Sequence, residues 1–239
     1  MRAARLPGGD LASELGSALP RDHARQAHAD RYVPVLAAAG PRIVDLGCGE
    51  GGSVDLFRAV RPDLEWTGVD LPDSPEVARR TRDDARFLAF DGVRIPLADG
   101  CADAILCRQV LEHAERPREL VADAARVLRP GGLIGGSTSQ LEPYHSRSTA
   151  NPTPYGLVRL LAAAGLQALE LRPGVDGATL IARRLAGAPR SFDRFFTGTS
   201  PLNALLEVAG RALGADAGAR NSAKLALCGH FCFLARRPA

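Results

Sequence analysis

The chain has 239 residues, 46% of them hydrophobic and 24% charged, with a net charge of +3. That suits one well-buried α/β domain with an insertion, and excludes a disordered or fibrous chain. No apolar run approaches the ~18–20 residues of a membrane span, and the first residues, with Arg2 and Arg5, lack the apolar stretch of a secretory signal, so a cytoplasmic location without membrane partners is expected.

Residues 1–40 read as a helical lead-in, clearest over 28–40. Residues 41–47 (PRIVDLG) predict a buried strand that stops at glycine, and 53–60 the helix after it. A second strand is expected over 64–70. A helix follows over 74–85, with Ser74 as cap and Pro75 in its first position. Third and fourth strands fall at 85–90 and 102–109. Over 116–128, Leu120, Val121, Ala124, Val127 and Leu128 share one face, which is a helix. A fifth strand is expected at 131–138. Thr153 caps a helix that Gly165 closes, and a sixth strand occupies 166–171. The last strand is 230–237. Residues 174–229 between them read as an insertion, with turn signals at 173–177 and 186–190. It holds a helix over 200–214 whose Leu202, Leu205, Leu206, Ala209 and Leu213 form an apolar stripe. That stripe has to be buried, within the domain or across a homodimer.

Strand–helix alternation with near-continuous apolar strands predicts a Rossmann-like, doubly wound, mostly parallel seven-stranded sheet with helices on both faces. Residues 41–239 form one domain on this reading.

The stretch VDLGCGEGG, Val44 to Gly52, carries the functional question. Gly47, Gly49 and Gly52 satisfy G-x-G-x-x-G, a weak signal that dinucleotide and adenosyl ligands share. Three features decide between them. The first is Asp45, since a carboxylate repels a pyrophosphate and favours an ammonium group; the second is Asp91–Gly92, and the third is the tight turn VLRPGG (127–132) into the fifth strand. Asp70, ending the second strand, can hold ribose hydroxyls. Asp91 after the third strand can accept from an adenine amino group.

Together, VDLGCGEGG, GVD, FDGVRIPLADGCADAILCRQVLEH and RVLRPGGLI resemble the class I S-adenosylmethionine-dependent methyltransferases of the small-molecule type, over about residues 40–171. The resemblance implies S-adenosylmethionine as cofactor. It puts Asp45, Gly47 and Gly49 at the methionine end, Asp70 on the ribose and Leu71 against adenine. Asp91 faces the adenine amino group with Gly92 beside it, and the Arg108 backbone contacts the methionine portion.

A looser resemblance of QLEPYH and the helix after it to bacterial glycan and natural-product methyltransferases implies a small hydroxylated acceptor, a sugar or glycosylated metabolite. Proton removal from such an acceptor falls to His145, in the polar loop after the fifth strand, with Glu142 orienting it or binding the acceptor. Glu112 and His113 are weaker candidates. Methylation at carbon or nitrogen, or a non-methylating reaction on the same fold, stays open as the alternative.

Other features are read as structural. Cys228, His230 and Cys232 alternate as if along one strand face, but no fourth ligand accompanies them, and no metal is expected. Nine Arg or Lys stand against three Asp or Glu from Ala182 onward, a solvated basic surface or an attraction for an anionic acceptor. The basic residues lack aromatic interleaving. Asn151–Tyr155 follows the fifth strand rather than the fourth and reads as a helix start, so nucleic acid is not an expected partner.

Overall fold

Seven apolar strand segments pair into one sheet: β1 (Arg42–Leu46), β2 (Glu65–Asp70), β3 (Arg86–Ala89), β4 (Ala102–Arg108), β5 (Leu128–Ser139), β6 (Gln167–Pro173) and β7 (His230–Arg236). In the computed structural model, which describes residues 6–141 and 148–239, their order is β3-β2-β1-β4-β5-β7-β6. β7 runs antiparallel to β5 and β6, and the other pairs are parallel. The winding direction reverses between β1 and β4, the point at which open α/β sheets bind ligands.

Side chains alternate across each strand and so feed two cores. Val44, Leu46, Ile105, Phe231 and Phe233 face α5 (Pro117–Val127) and α6 (Pro154–Ala163). Ile43, Ala104, Leu106 and Cys232 face the other way, toward α2 (Val33–Ala39) and α3 (Ser53–Val60). Among the described residues no helix is long and apolar enough to cross a membrane.

Three expectations are corrected. The helix expected over 74–85 is only α4 (Pro75–Ala78). The cause is tertiary: beyond Ala78 the side chains of Arg79, Arg80 and Arg82 bond the Glu50 carboxylate, the Gly49 carbonyl and the Gly51 carbonyl, some thirty residues earlier. Leu128, expected to end a helix, begins a longer β5, because its amide caps α5 while its own backbone is already extended.

The third correction concerns residues 174–229, which hold α7 (Gly177–Leu185), α8 (Arg194–Thr197), α9 (Pro201–Ala212) and α10 (Ala217–Ala226). The leucine stripe of α9 is only partly buried within this chain: Leu206 is buried, but Leu205 is 63% and Leu213 50% exposed. The buried face of α9 runs through Asn203, Leu206 and Gly210. Asn203 donates to the Gln26 side chain at 2.7 Å and the Gly174 carbonyl at 2.8 Å, and a Cβ at Gly210 would sit 2.7 Å from Arg220. Polar docking and close backbone approach outrank the apolar pattern here.

The segment is rooted at one point, where Asp176 and Cys228 form an isolated bridge. From there α10 packs on α9, on β6 and on α1 (Gly9–Leu15). Residues 20–28 are strapped against this bundle. Arg172 of β6 holds Asp22 at 2.9 Å, the Ala27 amide donates to the Pro173 carbonyl at 2.8 Å, and Asn221 donates to the Pro20 and His23 carbonyls. The strap delivers residues 28–32 to the C-terminal ends of the central strands.

Candidate cofactor site

Beyond β1 the chain turns through Gly47, Gly49 and Gly51 at φ +69°, +52° and +84°, a region that only glycine enters without strain. A Cβ at Gly47 would lie 2.3 Å from the Val110 side chain, and one at Gly51 2.8 Å from Phe87. Gly52 has φ −61° and nothing within 4 Å of a Cβ. The glycines that the loop requires are therefore 47, 49 and 51, not the 47, 49 and 52 of the dinucleotide pattern. The helix that follows, α3, is aligned with its amide end at this turn.

Two carboxylates flank the loop. Asp70 accepts the Gly49 amide at 2.6 Å on one oxygen and the Leu71 amide at 2.7 Å on the other. Both oxygens are thereby oriented, and each keeps lone-pair capacity for another donor. Asp45 is 2% exposed and accepts the Ser53 hydroxyl. Burial pushes its carboxyl up to about 6; the Arg108 charge and the Ser53 bond oppose that rise, and Asp70 adds to it. An uncompensated buried carboxylate of this kind calls for a cation.

The remaining predicted residues lie around this core. A Cβ at Gly92 would meet the Leu71 side chain at 3.5 Å, so those two positions form one wall. Asp91 accepts the Val93 and Arg94 amides on one oxygen, which holds its carboxyl below the usual range and shapes the turn. Arg108 closes β4, and its guanidinium reaches Asp30 at 2.7 Å. Glu142 and His145 lie outside the described residues.

Against that geometry stand the comparisons. A family model described as a methyltransferase domain matches residues 44–135, the stretch from Asp45 and the loop through Asp70, Asp91 and Arg108 into β5. That match gives residues 44–135 as a methyltransferase domain, and the chain is similar over it to S-adenosylmethionine-dependent methyltransferases. It is 30% identical over 154 residues to a probable S-adenosylmethionine-dependent methyltransferase of Mycolicibacterium smegmatis, covering 59% of this chain and 58% of that one. It is 31% identical over 117 residues to a ubiquinone biosynthesis O-methyltransferase of Dechloromonas aromatica, covering 45% and 48%. Among solved structures the [4+2]-cyclase SpnF shares the fold, with a TM-score of 0.54, 21% identity, and coverage of 96% of this chain and 92% of that one. The chain spans about half the length of the curated relatives it matches.

S-adenosylmethionine is the cofactor of this methyltransferase domain, and the residues present fit it. A glycine cradle leaves no room for side chains, the buried carboxylate of Asp45 suits a cationic group, and the oriented carboxylate of Asp70 keeps lone-pair capacity for hydroxyl donors. Sequence reasoning missed several supports of this cradle. Ser53 and Trp66 carry the Asp45 network, since the Trp66 Nε1 donates to Ser53 at 3.0 Å. Asp30 looked like an ordinary residue of the lead-in. Ser53, eight residues after Asp45 at the start of a helix, was a usable signal; nothing local pointed to Trp66 or Asp30.

Glu112 is fully buried and accepts the Thr138 hydroxyl at 2.8 Å and the Ser139 hydroxyl at 3.2 Å. Burial raises its pKa. Its backbone carbonyl accepts the Thr149 amide at 2.8 Å and the Ala150 amide at 3.2 Å. Glu112 thus ties the turn after β4 to the end of β5 and to the chain just beyond residue 147. His230, opposite Ser139 in the β5–β7 pairing, packs on Phe196 with ring centroids 5.6 Å apart. Among the described residues no group of His, Cys, Asp and Glu is arranged to hold a metal ion.

Proposed function

We propose that this chain transfers a methyl group from S-adenosylmethionine to a hydroxyl of a small metabolite, a sugar or glycosylated natural product. The observation that carries the cofactor half is Asp45, a nearly inaccessible carboxylate beneath the glycine loop. It suits an ammonium group and disfavours a pyrophosphate. Bound there, the cofactor supplies an electrophilic methyl group on a sulfonium centre. Asp45 with Gly47 and Gly49 holds the amino-acid end, Asp70 takes the ribose hydroxyls, and Leu71, Asp91 and Gly92 enclose the adenine. The Arg108 backbone lies along the methionine portion.

Methyl transfer gains most from in-line positioning of the acceptor. For a hydroxyl acceptor, His145 is the proposed base and Glu142 its orienting partner. What supports this is the anchoring of the described chain on either side. The Gln140 and Leu141 amides donate to the Gly229 carbonyl at 2.7 and 3.1 Å, and Thr149 and Ala150 are held by Glu112. Both anchors stand beyond the C-terminal ends of β4 and β5, where an acceptor must enter. Of residues 174–229, the part at Phe196 borders this edge, whereas α10 packs on β6 and α1, and α9 packs on α10 and α7. Within this segment, residues 190–200 are the part proposed to border the acceptor. The D. aromatica relative's name, an O-methyltransferase, agrees with a hydroxyl acceptor.

Calorimetric titration with S-adenosylmethionine, its demethylated product and NAD tests the reading, followed by transfer of labelled methyl to a panel of hydroxylated metabolites. Binding of the first two and not the third is expected. Tight NAD binding without S-adenosylmethionine binding overturns it, and binding without transfer to any hydroxyl moves the reading to carbon, nitrogen or non-methylating chemistry.

A further inference from the structure

A connected circuit of side chains encloses the glycine loop. From Asp45 it passes to the Ser53 hydroxyl, and from Ser53 to the Trp66 Nε1 at 3.0 Å. Trp66 meets Phe87 edge-on, with ring centroids 5.4 Å apart and planes at 76°. The Arg80 guanidinium lies over the Phe87 ring, 3.9 Å from its centroid. Arg80 then donates from Nε at 2.9 Å and Nη2 at 2.5 Å to the Gly49 carbonyl. The chain of contacts reaches the second carboxylate where the Gly49 amide donates to Asp70 at 2.6 Å.

We propose that Arg80 is a positioning residue for cofactor binding, holding the Gly49–Glu50 peptide in its binding orientation through the Phe87–Trp66–Ser53 chain. The inference rests on the S-adenosylmethionine reading of the site. Gly49 is pinned on both sides, its amide by an acid and its carbonyl by a base. A peptide unit is planar and trans, so fixing the Gly49 carbonyl also fixes the direction of the Glu50 amide. Glycine loops need such fixing because glycine has the largest backbone freedom to lose. A guanidinium can do this where an ammonium cannot, because its flat fork places two N–H groups on one carbonyl while its face stacks on an aromatic ring. The same chain of contacts ends on Asp45, so the two carboxylates that flank the loop are held by one network. Short α4 is a consequence, since residues 79–82 are recruited to the loop instead of continuing a helix.

Trp66 is the only tryptophan of the chain and lies inside the circuit, so its fluorescence reports on it. The test compares wild type, Arg80→Gln, Arg80→Lys and Phe87→Leu by titration with the demethylated cofactor, read by calorimetry and by Trp66 emission, alongside thermal unfolding without ligand. In wild type, ligand should shift Trp66 emission. Arg80→Gln, which removes the charge and the forked pair of donors on the Gly49 carbonyl, should weaken binding at least about tenfold and shrink the emission change, with unfolding temperature nearly unchanged. Arg80→Lys, which keeps one donor for the carbonyl, should recover part of both. If Arg80→Gln does not fold, Arg80→Lys and Phe87→Leu carry the comparison. Wild-type affinity and emission response in the folded variants overturn the inference while leaving the cofactor reading intact. A wild type that binds no ligand overturns both.

Discussion

Asp30 holds the Arg108 guanidinium at 2.7 Å across 78 residues of sequence. The pair joins the lead-in to the end of β4, and Arg108 is also the cation whose field most lowers the Asp45 pKa. Both partners are about a third exposed, so the bridge contributes no more than about 1 kcal/mol to folding. Its larger effect should be on the site. Asp30→Asn should leave the unfolding temperature within a few degrees and weaken S-adenosylmethionine binding several-fold, because residues 28–32 lose their tie to β4. Calorimetry beside a melting curve separates the two; parallel losses of affinity and stability would reduce the pair to a structural one.

The buried carboxyl at Asp45 sets a pH dependence. Its pKa stands at about 6 in the ligand-free protein, against 3.8 for an ordinary aspartate. A ligand ammonium favours the ionised form, so affinity should be flat above pH 6 and fall about tenfold per unit below it. Folding shows the opposite sense: with the folded pKa raised above the unfolded one, this group's contribution is most favourable below pH 4, is lost between about 4 and 6, and is level above. Asp45→Asn should therefore stabilise the ligand-free protein at pH 7, by up to about 3 kcal/mol, while weakening binding and removing its acid limb. Denaturant curves and titrations at pH 5, 6 and 7 check both signs.

Two alanine substitutions in the loop should behave oppositely. At Gly47 the φ of +69° and a Cβ 2.3 Å from Val110 leave no room, so Gly47→Ala should cost several kcal/mol and abolish cofactor binding. At Gly52 the backbone is helical and the space open, so Gly52→Ala should be neutral or stabilising by about 0.4–1 kcal/mol. Equal damage at both positions would restore the dinucleotide pattern as the correct description.

If His145 removes the acceptor proton, His145→Ala should lower kcat about 10²–10⁴-fold, with affinity for the demethylated cofactor unchanged. Wild-type kcat should fall as pH drops through the histidine's titration. A fully active His145→Ala protein shifts attention to Glu142, and beyond it to His113.

The local sequence was enough for whatever depends on near neighbours. The seven strands are legible because their apolar runs are short and set off by turn-forming or charged residues. Asp45, Gly47, Gly49 and Asp70 are legible because a loop between a strand and a helix presents its amides in a way that follows from the chain alone. Tertiary structure decided the rest, wherever a residue's partner is remote. Gly51 rather than Gly52 is the third required glycine because Phe87 of β3 fills the space beside it. The helix after β2 is cut to one turn because three arginines find loop partners some thirty residues earlier. α9 leaves Leu205 and Leu213 outward because its buried face is claimed by Asn203, which finds Gln26 and Gly174. An apolar stripe states that burial would be favourable; only the assembled fold determines whether hydrogen bonds to buried backbone, which are costly to leave unmade, claim that face first.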